Sequence, residues 1–552
     1  MTSLSVMISS FYHQLNYTHF SYASQPLSMM RFFIFYSKKL ISQLVGNRTG
    51  RALAGLLVDY VGTTTVVGLS FFVTPLLLAF LSVPMYGFWI TVTQIIFFLN
   101  LVDGGANIYL LKGIASAQVE GDTAYLAHVI STTFWFYVAL GGLMLGIGLA
   151  LSPFIAGWLK VSATESAAAT VAFQLMVLAA AISLVAIPTF YGILQGYQQL
   201  ALVNGIVYCV SISSSLLALG LLMLHLGVEA MALGQLGATL LGAMTALFFA
   251  WRVCPSFSLS IRHFRWAELR QILRFTGFFQ MSKLAFLTST FSDNILIAGY
   301  YGTAAVATYS LTQKLSGMSA MFVNKVGGAV MPGLAAMFAV QDTVRLQIVV
   351  LRLTRGLTRF GFLSLLLIVT LNERFVTTWV GSTVFGGLAL TILFAYSVFR
   401  NGLIRNLSVI FFSSGQLEGW GWLSLAEAVL KIGMILMLLP GWGLLAPMFG
   451  TVVAELLTGV YTPIRVAQMI QLPLSTFLWN GIAIPLLKSL PTVGALLIIG
   501  YLVPTQWSWL GIICIGSFGL LINTLSFDGA KWLDGLNRLA QIKGNHLRLP
   551  AG

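Results

Sequence analysis

The stretch FSDNILIAGYYGTAAVATYSLTQKL, residues 291–315, carries the features that decide the fold of this chain. It is apolar enough to lie within a membrane, yet it contains Asp293 near its start and Lys314 near its end. A charged side chain at the centre of a bilayer costs roughly 2.5 to 3.5 kcal/mol, so such residues face a bundle interior or a water-filled cavity. The stretch therefore predicts a membrane protein with a polar interior.

The composition of the whole chain agrees with this prediction. Of the 552 residues, 58% are hydrophobic and 8% are charged, which is too apolar for a soluble globular protein. The net charge is +14, but no Lys/Arg-rich block or binding motif accompanies it, so we expect no nucleic-acid partner. The three cysteines form no CxxC pair and no GxxxxGK[ST] motif occurs; we expect no metal site, no cofactor, no ATP site and no enzymatic activity.

Apolar segments of about 20 residues recur along the chain, and each is long enough to cross a bilayer as a helix. We predict an all-α polytopic membrane protein with about fourteen transmembrane helices, near residues 55–80, 86–110, 127–153, 167–189, 201–224, 229–251, 275–300, 304–337, 354–372, 384–410, 418–439, 443–466, 480–503 and 506–526. Of the 29 Lys and Arg, twenty fall in tails and loops on one side of this arrangement and two on the other. The positive-inside rule then predicts that both termini are cytoplasmic.

An internal repeat predicts two lobes. LGVEAMALGQLG (226–237) and WGLLAPMFGTV (442–452) share a Gly-x-x-Ala-x-x-x-Gly pattern, and VPMYGFWITVTQ (83–94) is similar to TAAVATYSLTQ (303–313). A six-span unit used twice gives two lobes with a site between them near the middle of the membrane. The predicted units are a cytoplasmic tail at 1–52, an N-lobe at 53–252, a C-lobe at 253–470, two extra helices at 471–527 and a cytoplasmic tail at 528–552.

Two adjacent methionines bear on the first of these units. Met29 and Met30 directly precede RFFIFYSKKLISQLV. We expect translation to begin at one of them and residues 1–28 to be untranslated.

Three segments resemble a known superfamily. NLVDGGANIYLLKGIASAQVEGD (100–122), the opening stretch and SSGQLEGWGWLSLAEAVLKIGMILMLLPGWGLLAPMFGTV (413–452) are similar to matching spans of the multidrug/oligosaccharidyl-lipid/polysaccharide exporters, and within them to the O-antigen repeat-unit flippases. The resemblance covers about 53–470 and implies a MATE-like arrangement of two six-helix lobes. Repeat-unit flippases usually have twelve spans, and the two extra C-terminal helices resemble those of the peptidoglycan-precursor flippases.

The resemblance also implies a function. It suggests a flippase that carries an undecaprenyl-pyrophosphate-linked oligosaccharide across the bacterial cytoplasmic (inner) membrane by alternating access. The implied partners are this lipid-linked oligosaccharide, membrane lipids and polysaccharide-assembly proteins, with H⁺ or Na⁺ as the coupling ion. The alternatives are a multidrug/toxin cation antiporter of the same fold and a peptidoglycan-precursor flippase. A polytopic glycosyltransferase, polymerase or acyltransferase lacks support, because the chain has no large outer domain and no Asp-x-Asp pair.

Charged residues within the predicted spans favour an anionic cargo. The first six spans contain acidic but no basic residues, whereas spans seven to twelve contain an excess of lysine and arginine. A pyrophosphate favours such basic groups, while a cationic drug favours carboxylates, and amides suit sugar hydroxyls. The candidate substrate-binding residues are therefore Lys283, Lys314, Lys325, Arg359, Lys431, Gln280 and Gln313, and the candidate ion-coupling residues are Asp293, Asp103 and Asp59.

Spacing along the predicted helices refines these candidates. Lys314 and Lys325 are eleven residues apart, which places them on nearly the same helix face about 16 Å apart in depth. With Lys283 they would form a ladder for a pyrophosphate. Glu427 and Lys431 are four apart, and a pair along one helix is the simpler interpretation of this lysine.

Overall fold

The computed structural model describes residues 48–99, 106–254, 257–416, 419–503 and 509–524. Over these ranges the chain is helical without any strand, which confirms the all-α fold class. Residues 1–28, the C-terminal tail at 528–552 and candidate Asp103 lie outside the described residues. The helices are α1 (Arg48–Phe80), α2 (Val83–Leu99), α3 (Ala106–Glu120), α4 (Thr123–Trp158), α5 (Ser166–Gly196), α6 (Leu200–Leu222), α7 (Gly227–Val253), α8 (Trp266–Tyr301), α9 (Thr303–Ala339), α10 (Thr343–Val380), α11 (Leu388–Ser414), α12 (Trp420–Trp442), α13 (Leu445–Met469), α14 (Leu474–Gly500) and α15 (Trp509–Thr524).

Eleven helices in the described part of the chain are long and apolar enough to cross a membrane, which makes this a multi-pass membrane protein. They include every helix above except α2, α3, α8 and α15. A helix nevertheless occupies each remaining predicted span: α2 and α15 are shorter apolar helices, and α8 has 36 residues but carries charges such as Glu268 and Arg270. The count of about fourteen therefore stays a prediction.

Short connections join consecutive helices by defined turns. Gly302 joins α8 to α9 with φ of +86°, a backbone conformation that favours glycine. Asp122 caps α4 by accepting a hydrogen bond of 2.8 Å from the Tyr125 backbone N–H. Asp342 caps α10 in the same way. These caps satisfy backbone donors that a helix start leaves free.

The repeated small-residue pattern builds the same helix pair twice. Gly227 begins α7 with φ of +60°, and Gly443 precedes α13 with φ of +56°. Gly234 of α7 then packs closely against α6, and Gly450 of α13 packs closely against α12. Small residues at such positions let two helices approach. The two halves of the chain thus share a local structure, while the proposed lobe boundaries stay a prediction.

The similar segments 83–94 and 303–313 form the starts of α2 and α9, and these starts lie against each other where the two halves of the chain meet. Gly87 of α2 is so close to Thr303 at the start of α9 that an added Cβ would lie 1.8 Å from the Thr303 carbonyl oxygen. At the same region the Trp379 indole N–H of α10 donates to the Phe71 carbonyl of α1 at 2.7 Å. These contacts join α2 to α9 and α1 to α10 in one part of the junction between the first and second halves.

Candidate functional site

A cavity of about 600 Å³ lies among α8, α9, α11, α12 and α13, in the second half of the chain. Hydroxyl and amide side chains contribute to its wall, including Gln313, Asn324 and Asn401. Six charged residues also line it, three basic and three acidic: Arg400, Arg405, Lys431, Asp293, Glu427 and Glu455. A cavity this polar among apolar helices is where a transporter binds a polar ligand.

Asp293 and Lys431 form an ion pair across this cavity. The Lys431 Nζ lies 2.7 Å from the Asp293 Oδ1, and their side chains are 2% and 11% exposed. The other carboxylate oxygen accepts a hydrogen bond of 3.0 Å from the Tyr309 hydroxyl, and Lys431 also donates to the Ser289 carbonyl. Lys431 therefore pairs with Asp293 of α8 and not with Glu427, one turn away on its own helix. The pair with Glu427 that the four-residue spacing suggested is wrong. A buried charge needs such a partner, and a tertiary contact supplies it here.

A second ion pair crosses the same cavity. Arg400 of α11 lies 3.6 Å from the Glu455 Oε2 of α13 and also donates to the Glu455 carbonyl and the Thr458 hydroxyl. Asn401 donates to the Glu455 Oε1 at 2.7 Å. Arg400 and Asn401 of α11 therefore hold Glu455 through one ion pair and hydrogen bonds to its side-chain and backbone oxygens. The pair therefore fixes α11 against α13.

Two further charged residues present surface to the cavity. Arg405 lies on α11, five residues after Arg400, and its side chain is accessible in the cavity. Glu427 is half-buried on α12. Gln313, one of the predicted substrate-binding residues, also lines the cavity. The cavity thus contains Asp293, Lys431 and Gln313 from the predicted set, together with Arg400 and Arg405, which sequence reasoning missed.

A third ion pair joins the two halves of the chain. The Lys325 Nζ of α9 lies 2.7 Å from the Asp59 Oδ2 of α1 and donates to the Thr63 hydroxyl at 2.7 Å. The Tyr208 hydroxyl of α6 donates to the other Asp59 oxygen. Two predicted site residues, one expected to bind substrate and one to couple an ion, are therefore bound to each other.

Lys314 lies on the same face of α9 as Lys325, three helical turns closer to the start of α9. It is half-buried, and among the described residues it has no hydrogen-bond or ion-pair partner. Most buried lysines are paired, so Lys314 is a candidate residue for binding a ligand.

The remaining predicted residues lie elsewhere. Arg359 of α10 donates to the side-chain and backbone oxygens of Asn523 on α15, at 2.8 and 3.0 Å. It is not among the residues that line the cavity. Gln280 and Lys283 belong to α8, but their side chains lie outside the described residues. Of the predicted ladder, the structure thus describes Lys314 and Lys325 only.

The fold and this polar interior define a membrane transporter with a MATE-like architecture. The model for the family of polysaccharide biosynthesis proteins matches residues 52–338, more than half of the chain. The chain belongs to this family. Searching the curated proteins gives no match.

Solved structures of three transporters have the same fold. The lipid II flippase MurJ in an inward closed conformation gives a TM-score of 0.68 at 13% identity, covering 86% of this chain and 99% of that one. A multidrug-resistance MATE transporter, inward-facing, gives 0.60 at 15% identity over 75% and 98%. A superfamily transporter from Pyrococcus furiosus gives 0.50 at 14% identity over 79% and 98%. These proteins are transporters or flippases, and at such identities the likeness shows the fold.

Proposed function

We propose that this protein is a flippase that moves an undecaprenyl-pyrophosphate-linked oligosaccharide across the bacterial cytoplasmic membrane by alternating access, without chemical change to its cargo. The observation that carries the proposal is the cavity of about 600 Å³ in which Arg400, Arg405 and Lys431 lie among hydroxyl and amide groups. Basic side chains bind a diphosphate by charge-assisted hydrogen bonds, and amides bind sugar hydroxyls. A cavity of this size suits a headgroup, while the polyprenyl tail stays in lipid.

In this proposal Lys314 and Lys325 guide the pyrophosphate along α9. Both termini are taken as cytoplasmic, so Lys325 lies nearer the cytoplasm than Lys314. Lys314, which has no partner among the described residues, would take the phosphate at mid-membrane. Lys325 would take it only after releasing Asp59, since those two groups are paired 2.7 Å apart. Lys283 and Gln280 of α8 would extend the ladder, and Gln313 would bind sugar hydroxyls.

Ion coupling is proposed for Asp293. Its carboxylate lies in the cavity and is bound by Lys431 and Tyr309, so a change in its charge alters contacts among α8, α9 and α12. A two-state transporter is biased by such a difference in interaction between its states. H⁺ or Na⁺ is the proposed coupling ion. Asp59 and Asp103 would have secondary roles.

Cells that lack the gene and carry plasmid copies test the proposal. Wild-type protein should restore export of the sugar polymer, and cells without it should accumulate the lipid-linked repeat unit inside. Lys431→Gln should reduce export by about an order of magnitude, because one charge-assisted contact is worth roughly 1.5 to 3 kcal/mol. Membrane levels of each variant are checked by blot. Full export by cells that lack the protein, or resistance to cationic drugs as its only effect, contradicts the proposal.

A peptidoglycan-precursor flippase is the second candidate. It is favoured by α14 and α15, which follow the twelve spans predicted for the repeat. The fold likeness to the lipid II flippase, with a TM-score of 0.68, is consistent with it. The two candidates differ in phenotype. Loss of viability on depletion of the protein supports the precursor flippase, whereas viable cells without surface polysaccharide support the repeat-unit flippase.

A further inference from the structure

We propose that Lys431 exchanges one anion for another during transport: it binds Asp293 when the cavity is empty and the diphosphate of the cargo when the cavity is loaded. The inference rests on the proposed function and specifies how ion binding is linked to cargo binding. Its consequence is that Asp293, once released, takes up one H⁺ or one Na⁺ for each cargo bound.

The geometry of the two ion pairs points to Lys431 rather than Arg400 as the exchanging cation. Arg400 is held by Glu455, Thr458 and Asn401, so releasing it would leave several groups unpaired. Lys431 has a simpler set of contacts, Asp293 at 2.7 Å and the Ser289 carbonyl. A lysine carries three donors on a flexible stem and can turn toward a new anion without loss of a fixed geometry. Lys431 therefore needs less rearrangement to bind a phosphate.

Charge balance explains why an ion must follow. In the ion pair, the charges of Asp293 and Lys431 cancel. When Lys431 turns to a phosphate oxygen, the neutral Tyr309 hydroxyl, at 3.0 Å, is the partner that the Asp293 carboxylate keeps among the described residues. The other charged groups that line the cavity in the described part of the chain, carried on α11, α12 and α13, are Arg400, Arg405, Glu427 and Glu455. Arg400 is already paired with Glu455, and Glu427 adds negative charge. A buried carboxylate without its counter-ion is costly, so binding a proton or Na⁺ completes the step.

Inorganic pyrophosphate serves as the probe of this exchange, with purified protein in nanodiscs. Isothermal titration calorimetry at one pH, in buffers of different ionisation enthalpy, gives the number of protons taken up on binding. Pyrophosphate itself exchanges protons, so the informative quantity is the difference between wild type and Asp293→Asn. We expect wild type to take up about one proton more than the variant. If Na⁺ is the coupling ion, wild type and Asp293→Asn take up the same number of protons. Replacing Na⁺ by N-methylglucamine then weakens pyrophosphate binding to wild type and not to Asp293→Asn.

Two further variants complete the experiment. Lys431→Gln should weaken pyrophosphate binding at least tenfold, and Lys431→Arg should bind with an affinity close to that of wild type. Glu455→Gln, an acid of the same cavity that is paired with Arg400, should leave the proton or Na⁺ difference unchanged. The exchange is overturned if pyrophosphate binds to wild type and Asp293→Asn changes neither the proton uptake nor the Na⁺ dependence of binding. The proposed function is not contradicted by that result. No binding of pyrophosphate to wild type contradicts the proposed function itself.

Discussion

The Lys325 Nζ lies 2.7 Å from the Asp59 Oδ2, and this contact joins α9 to α1 across the junction between the two halves of the chain. Gly87 and Thr303 meet in another part of the same junction. Alternating access requires each end of such a junction to open in turn while the other stays closed. In the proposed transport cycle, the Lys325–Asp59 ion pair therefore has to break when the junction opens on the side of the membrane where α1 begins.

Loss of the ion pair should shift the protein toward opening at that end. Lys325→Gln removes a pair whose side chains are 23% and 34% exposed, and such a pair is worth about 1 kcal/mol, or roughly a fivefold shift. A cysteine at Ser408, which lines the cavity, reports the change when Cys209, Cys254 and Cys514 are replaced. Labelling by an impermeant maleimide from that side should be faster. The charge-reversed double variant Asp59→Lys with Lys325→Asp should return toward the wild-type rate; equal rates in all three proteins would exclude the role.

Close packing at the other end should be equally sensitive. Gly87→Ala places a Cβ 1.8 Å from the Thr303 carbonyl oxygen, so α2 and α9 must separate. We expect a lower midpoint of thermal unfolding and faster labelling from the opposite side of the membrane. Gly142→Ala is the matched control, because a Cβ at Gly142 has no atom within 4 Å. Unchanged stability and labelling in Gly87→Ala would show that the two helices do not hold this end closed.

Lys314 should be needed for transport rather than for folding. It has no partner among the described residues, so Lys314→Gln removes no contact that the structure shows. Export should fall by about tenfold, with wild-type protein levels, because a charge-assisted contact to the cargo is lost. Lys314→Arg should restore part of it. Lys488→Gln, an exposed lysine of α14, serves as the control. Normal export by Lys314→Gln would remove Lys314 from the proposed path.

Arg359 should matter for stability and not for cargo binding. Its two hydrogen bonds to Asn523 fasten α15 to α10. Arg359→Leu and Asn523→Leu should each lower stability by about 1.5 to 3 kcal/mol, and the loss in the double variant should be smaller than the sum, because both variants remove the same two hydrogen bonds. Thermal unfolding in detergent measures this, with exposed Arg352→Leu as the control. If Arg359→Leu keeps the stability of wild type but loses pyrophosphate binding, Arg359 belongs to the substrate site as first predicted.

Hydropathy alone predicted most of the fold. A described helix overlaps each predicted span, because a long apolar segment in a bilayer has few other ways to satisfy its backbone hydrogen-bonding groups. The second predicted span covers residues 86–110, of which residues 100–105 lie outside the described part of the chain, so its continuity stays a prediction.

The candidate site was less predictable, because its charges are paired by tertiary contacts. Lys431 and Asp293 are 138 residues apart, and Lys325 and Asp59 are 266 apart, so neither pair follows from local spacing. Arg400 and Arg405 lie near the end of the span predicted at 384–410, where basic residues ordinarily mark the cytoplasmic surface. The buried acid Glu455 was the available signal that a basic partner had to exist.

The central claim is that this protein moves a diphosphate-linked lipid, and reconstituted transport tests it most directly. Purified protein in liposomes is supplied with a fluorescent undecaprenyl-pyrophosphate-linked oligosaccharide, and a membrane-impermeant reductant measures its arrival in the opposite leaflet. The account predicts rapid movement with wild type, at least tenfold slower movement with Lys431→Gln, and near-normal movement with Lys431→Arg. Movement no faster than in protein-free liposomes, together with uptake of a cationic dye, would contradict it.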